Sequence, residues 1–503
     1  MTSVKTMTPI FALSLVFAMP VWAEDLLEPV DQADLNALVQ EGQMLDAFLD
    51  AFEAGDALTE TQFTQQQGVG ANIGEGRIFT RFPRADLDGP TEWANHYPQR
   101  EGGANAISCI ACHNAPFANG AGGIALNVVV DPAHTGDPSL YLERNTLPLF
   151  ALGVTQRLAE EISEALFAQR EAARSEACQN GSAAVGLSAK GVSYGTLFVT
   201  RIAAAPCEVA FDYSALKGVD EDLVVRAFGW KGNHATIREF TRNAAHNELG
   251  LQAVELVGDQ DGDYDGVIDE LSVGDMTALT IYMAGLERPV SSVELADLGL
   301  IDLSPAARAR ITAGEAHFVQ VGCATCHTPE MTLNDPIFSE PSTVPGFYDA
   351  SFPDGSWPAE HGLAPQTAIR FDLAGDQPNN VIATTDGEVH LGALQRNADG
   401  QAVAQWYTDF RRHDIGAAMA DPADPLGIGA AMFLTRPLAG VGATGPWLHD
   451  GRATTLHDAM MLHGGDAKLS QEAYAALSKE HQQELIAFLE SLTLYQDPHA
   501  DED

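Results

Sequence analysis

Ser108–Phe117 reads SCIACHNAPF and Gly322–Glu330 reads GCATCHTPE. Each stretch contains Cys-x-x-Cys-His: Cys109, Cys112 and His113 in the first, Cys323, Cys326 and His327 in the second. Two thiols three positions apart can add across the two vinyl groups of one haem, and the adjacent His then lies under the iron as axial ligand. A four-cysteine zinc site does not need a His after each pair, and a thiol-redox motif needs one pair and no His. The doubled motif predicts two covalently bound haem c groups, with His113 and His327 as iron ligands.

The chain has six cysteines, and the motifs use four. Cys178 and Cys207 remain, both between the motifs. In an oxidising compartment two leftover cysteines most simply pair as a disulfide. The N-terminus points to such a compartment. Lys5 precedes an apolar run from Met7 to Met19, Pro20 breaks it, and Val21-Trp22-Ala23 offers small residues for cleavage. Residues 1–23 read as a signal peptide and the mature protein as exported, to the periplasm in a Gram-negative cell. No later stretch is apolar enough to span a bilayer. Against 27 Lys and Arg stand 70 Asp and Glu, a net charge of −43. Such a surface repels nucleic acid and anionic lipid and attracts a basic partner. It equally suits a saline habitat.

A chain of 503 residues can build two or three cores. Asp34–Leu58 has apolar residues at helical spacing and reads as a surface helix. Residues 169–219 look like an insertion tied by Cys178 and Cys207, with strand-like content in YGTLFVTRI and CEVAFDY. Helical patterns follow in DMTALTIYMAGLERP and SPAARARITAGEAHFVQ, and QEAYAALSKEHQQELIAFLESLT reads as a closing helix. A faint repeat links the halves. TLPLFALG (Thr146–Gly153) resembles TRPLAGVG (Thr435–Gly442). Gly232, Thr236, Ile237 and Glu239 share a pattern with Gly451, Thr455, Leu456 and Asp458. The expected fold is mainly α: two cytochrome c-like domains with long irregular loops, 24–290 carrying the insertion and 291–495, then an acidic tail at 496–503.

The function of two haems depends on the sixth ligand of each iron. In GPWLHDGRATTLHDAMMLHGGDA, His449, His457, His463, Met460 and Met461 are all candidates. DQDGDYDGVIDELS places Asp261, Asp263, Asp265, Gly266 and Asp269 at calcium-loop spacing, with Ser272 where a bidentate Glu usually closes the loop. Aspartates packed this closely repel without a cation, so the loop reads as a Ca²⁺ site with an irregular final ligand.

HDIGAAMADP, WLHDGRATTL, ANAISCIACHNAPF, VRAFGWKG and HNELGLQAVE together carry a resemblance. The chain resembles the di-haem oxidoreductase family of exported bacterial proteins. These are distant relatives of the bacterial di-haem cytochrome c peroxidases and of the MauG-type enzymes. In the peroxidase relatives a Met ligates the second haem at fixed spacing after His-Asp-Gly. The same spacing from His449 lands on His463, so the resemblance implies a His327/His463 pair. It places Trp230 between the haems, with Phe240 where the relatives have Gln. The distal acid of the relatives falls at Gly250, which points to the nearby Glu248, with His246 second. A carboxylate there can take a proton from one peroxide oxygen and deliver it to the other.

The resemblance implies reduction of hydrogen peroxide, or another small oxidant, at haem one. Electrons would come through haem two from a small donor protein, a cytochrome c or a cupredoxin. Two other functions remain open: a di-haem electron carrier without substrate, and a ferryl enzyme oxidising an organic or protein substrate.

Overall fold

Gly55 lies so close to another helix that a Cβ there would stand 2.3 Å from the Ala278 carbonyl oxygen. That approach joins helix Met44–Glu60 to helix Val273–Gly285, at the centre of the largest apolar core. Every residue of Val273–Gly285 is buried, and Ser272 and Asp275 form a reciprocal cap at its start. The computed structural model describes residues 28–73, 76–84, 92–375, 381–384 and 387–496. The leader and tail residues 497–503 lie outside these. Among the described residues no helix is long and apolar enough to cross a membrane.

The amphipathic stretch after the leader is two helices, Gln32–Gln40 and Met44–Glu60, and not one surface helix. Gly42 takes φ +81° between them, a conformation that ends a helix and suits glycine. The second helix buries Phe48, Ala51 and Phe52 instead of lying on the surface. The closing stretch also divides, into Lys468–Ala475 and Lys479–Ser491. The Ser478 side chain caps the latter by accepting from the His481 N–H.

The mainly α expectation holds only in part: helix makes up 38% and strand 18%. The strand lies in several small sheets, the largest of three strands. One reason is the insertion. Its leading part belongs to a long helix, Leu152–Asn180. An antiparallel meander of Ser182–Ala189, Val192–Ala204 and Cys207–Leu216 follows. Lys190 and Gly191 turn the first hairpin at φ +48° and +79°, the backbone twist that two-residue hairpins favour. Leu187, Tyr194 and Leu197 pack with Leu158, Ile162 and Leu166 of the long helix in the main core. Cys178 and Cys207 form a disulfide, Cα atoms 5.9 Å apart, tying helix end to third strand. The second reason is the segment after the second motif, which pairs short strands such as Ile337–Glu340 with Ile369–Asp372.

Two cores result. The larger takes residues from both halves, from Leu35 to Leu494, including Met331, Phe338 and Trp406. A smaller one gathers Phe318, Tyr407, Tyr474, Leu485 and Phe488 beside the second motif.

The repeat is visible in the backbone. Phe228 bridges His234 as Trp447 bridges Ala453, both antiparallel. Gly229 and Leu448, at matching positions, both have φ +74°. Thr236 and Thr455 then cap helices Ile237–Ala244 and Leu456–Leu462, accepting from the N–H of Glu239 and Asp458.

Candidate functional site

The two Cys-x-x-Cys-His stretches have the same local geometry. Each begins with a short 3₁₀ turn, Cys109–Ala111 and Cys323–Thr325. The N–H of the second cysteine and of the histidine both donate to the first cysteine's carbonyl, at 3.1 and 3.1 Å in one turn and 3.3 and 3.0 Å in the other. Two side-chain thiols and an imidazole are thereby gathered on one turn. None of the four cysteines is in a disulfide. Burial pushes the Cys109 and Cys323 thiols up to about 12 and Cys112 to about 11. A thiol-redox motif needs the opposite shift, toward thiolate.

The second motif opens into a cavity of about 580 Å³, in the size range of cofactor sites. Cys323, Cys326 and His327 line it together with Met460 and His463. The His327 Nδ1 lies 3.0 Å from the Tyr407 carbonyl, and the His463 Nδ1 lies 2.7 Å from the Ala459 carbonyl. A carbonyl only accepts, so Nδ1 carries the hydrogen in each ring and the Nε2 lone pair is available. Backbone carbonyls orient metal-binding histidines in this way. Burial lowers both imidazoles, His327 to about 4, which keeps them neutral. The other candidates differ. His457 is exposed and hydrogen-bonds the Tyr474 hydroxyl at 2.7 Å. His449 stacks on Phe433, ring centroids 4.4 Å apart, and lies 3.6 Å from Asp421. Met461 is 37% exposed.

Two cavity residues, His413 and Arg436, and Asp409 behind the first were not singled out from the sequence. His413 lies with Nδ1 3.9 Å from the Cys326 sulfur, and its Nε2 bonds Asp409 at 2.8 Å. Against the cost of burial, that bond raises His413 to about 10. Arg436 lowers to about 10 through burial, and its Nε is buried without a partner. A cofactor that brings its own carboxylates suits such a guanidinium. The HDIGAAMADP motif was a sequence signal for His413; Asp409 and Arg436 had none. Thiols, paired imidazoles and a guanidinium with a spare buried Nε–H around one cavity fit a haem.

In the first half, helix Ile237–Ala244 runs into a π-helical turn, Ala245–Leu249, a feature that recurs at functional sites. Gly250 ends it at φ +86°. The turn carries both proposed distal residues, facing different neighbours. The Glu248 carbonyl accepts from the N–H groups of Asn105 and Ala106, at 2.8 and 3.2 Å, just ahead of the motif. Its carboxylate Oε2 is buried without a partner, and its charge acts on the Cys112 thiol. Burial pushes the carboxyl up to about 8, Arg100 opposing. His246 is 3% exposed, and its ring faces the Gln99 and Pro98 carbonyls without a well-formed hydrogen bond. Its carbonyl accepts from the fully buried Arg100, and burial, Arg100 and His96 hold the ring well below its usual value. His113 drops to about 4 through burial. It faces the Leu147 and Gly120 carbonyls without a well-formed hydrogen bond.

Trp230 lines the cavity beside the second motif, and its indole N–H donates to the Asn145 carbonyl at 2.9 Å. The Asn145 amide donates to the Gly122 carbonyl at 3.0 Å, in the loop that closes the first motif. The Asn145 N–H donates to the His449 carbonyl at 2.7 Å. Trp230 is thus tied to the surroundings of both motifs.

The acidic loop brings oxygens of Asp261, Asp263 and Asp265 within 4.8 Å of one another; Asp269 is not in that group. The cation inferred from their repulsion has a counterpart in the chain. Arg77 pairs with Asp263 at 3.5 Å and also with Asp265, and Arg100 lies 3.8 Å from Asp263. Burial raises Asp263 to about 6 and the neighbouring Glu270 to about 9. These arginines offset the repulsion on which the calcium reading rested.

Residues 374–492 match the family model "di-haem oxidoreductase, putative peroxidase". No curated protein matches the chain. Among solved structures, a hydrazine synthase of Kuenenia stuttgartiensis is 18% identical, with a TM-score of 0.22; the match covers 44% of this chain and 56% of that one. A MauG-like protein associated with microbial copper homeostasis is 16% identical, with a TM-score of 0.28; the match covers 56% of this chain and 73% of that one. Superpositions this loose say nothing about the chemistry of this chain.

Proposed function

We propose that the protein is an exported di-haem c-type oxidoreductase of peroxidase type. It reduces hydrogen peroxide at the first haem site with electrons received through the second. The observation that carries this is the contrast between the two capped helices. Eight residues beyond Thr455 stands His463, beside His327; eight beyond Thr236 stands Ala244, which has no ligating atom. The first site instead receives Glu248, with an unpartnered buried oxygen.

Haem c, when bound, supplies the iron that exchanges electrons with peroxide. The residues of the chain bind and orient it and manage protons. Cys109 and Cys112 would hold one group and Cys323 and Cys326 the other. His113 and His327 would each bind an iron, and His463 would join His327 at the second. Glu248 Oε2 takes a proton from one peroxide oxygen and returns it to the other. With two electrons and two further protons, the oxygen–oxygen bond breaks and two waters leave. Trp230, tied to both sites through Asn145, lies on the electron path. The net charge of −43 favours a small basic donor protein.

The test is low-temperature EPR and optical spectroscopy of the holoprotein, oxidised and half-reduced, before and after one equivalent of peroxide, together with turnover of Glu248→Gln. One high-spin haem that reacts with peroxide is expected. The variant should retain both haems and lose about 10²–10⁴-fold in kcat/KM. Because Glu248 acts as the base, wild-type activity should rise with pH as the carboxyl ionises near 8. The variant should lack that rise. Two low-spin haems indifferent to peroxide would make the protein an electron carrier.

A further inference from the structure

We propose that His317, His481 and Glu484 form a surface site for one divalent transition-metal ion, with zinc as the reference ion. The site clamps helix Pro305–Gln320 to helix Lys479–Ser491. It is separate from both haem motifs and stands whether or not the peroxidase reading does.

The placement begins with a glycine. A Cβ at Gly314 would lie 1.9 Å from the Glu484 carbonyl oxygen, so the two helices approach as only glycine allows. One turn further along, His317 faces the same stretch of the partner helix. Its Nε2 is 3.0 Å from Glu484 Oε2. His481, one turn before Glu484, stacks on His317 with ring centroids 4.3 Å apart and planes at 28°. Two imidazoles and one carboxylate offer ligand atoms all within 4.8 Å of one another.

The hydrogen bonding of His317 favours a cation between these groups. Its Nδ1 lies 3.3 Å from Gln320 Oε1 and its Nε2 faces Glu484. Both partners present acceptor oxygens. With the ring neutral and its one N–H donated to Gln320, the Nε2 lone pair is directed at the carboxylate, a position that a proton or a metal ion can fill. A metal ion bound by Nε2 and Oε2 together turns that repulsion into coordination, and Gln320 then fixes the ring from behind. Two imidazoles and a carboxylate, with a position left for water, suit Zn²⁺; copper(II) binds the same set more tightly. His317 and Glu484 side chains keep 16% and 21% exposure, so the site is open to solvent ions.

The position gives the clamp a consequence. Next to His317 is Phe318, 2% exposed, packed against Tyr407 and Phe488 and with its ring 6.4 Å from that of His327. The helices joined by the metal thus hold one wall of the second haem site.

The test uses full-length holoprotein stripped with chelator, dialysed with Zn²⁺, and compared with His317→Asn/His481→Asn. The acidic surface binds cations loosely in both proteins, so their difference isolates the site. Expected are one extra retained Zn²⁺ per wild-type chain by elemental analysis and roughly 100-fold weaker zinc binding in the variant. Zinc-edge absorption of the wild type should show scattering from two imidazoles, and Zn²⁺ should raise the melting temperature of the wild type alone. Equal zinc retention by both proteins overturns the proposal, as does a zinc edge without imidazole. If the variant loses its haem spectrum and so has not folded, the wild-type edge spectrum and the single Glu484→Gln variant decide.

Discussion

Helices Ile237–Ala244 and Leu456–Leu462 are two versions of one device. Each follows a one-bridge loop, each starts from a threonine cap, and each leads toward a Cys-x-x-Cys-His turn. They differ in how they end. The second stops at His463, whose ring a backbone carbonyl orients into the cavity. The first has Ala244 at that place and winds on through a π turn, which carries Glu248. On the proposed reading, a repeat keeps its scaffold while one copy would close a metal site and the other would leave a proton carrier beside it. The two copies part company in the last turn.

The largest effect should come from making the first copy like the second. Ala244→His supplies an imidazole where the repeat places a ligand. It should convert the high-spin haem to low spin and abolish its reaction with peroxide, read by EPR. A haem that stays high-spin and reactive breaks the equivalence of the two helix ends.

A smaller effect is expected from His463→Met. Thioether ligation raises haem potentials. One potential should rise by on the order of 100 mV, within the roughly 0.8 V that axial ligands span, while the other stays put. Redox titration reads both. If neither moves, His463 is not the ligand.

The smallest effect is expected at the caps. Thr236→Ala and Thr455→Ala each remove one side-chain acceptor from a helix start, at a cost of about 1 kcal/mol. Denaturant unfolding should show similar losses in the two variants. The first should also lower peroxide turnover slightly, by loosening the π turn; the second should not.

Much of this was legible in the residues. The two motifs, the repeated Gly and Thr positions and the strand-like segments of the insertion depend on local spacing, and local spacing survives folding. Helix breaks at Gly42 and Ser478 were missed because apolar periodicity continues through them, while the backbone turns at a glycine and at a cap. The clustering of Asp261, Asp263 and Asp265 was legible in their spacing, whereas Arg77, which pairs with Asp263, arrives from almost two hundred residues away. His413 beside Cys326 was missed for the same reason.

The sequence by itself determined the two Cys-x-x-Cys-His turns, the pairing candidates Cys178 and Cys207, and the acidic character of the chain. Each follows from residue type and spacing within a few positions, or from composition. Only the tertiary structure decided which histidine of the His327 cavity has its ring held by the Ala459 carbonyl, that Glu248 buries an unpartnered carboxylate oxygen, and that His317 meets His481 and Glu484. These depend on backbone carbonyls, burial and a close helix approach at Gly314, which bring together residues that the chain keeps far apart.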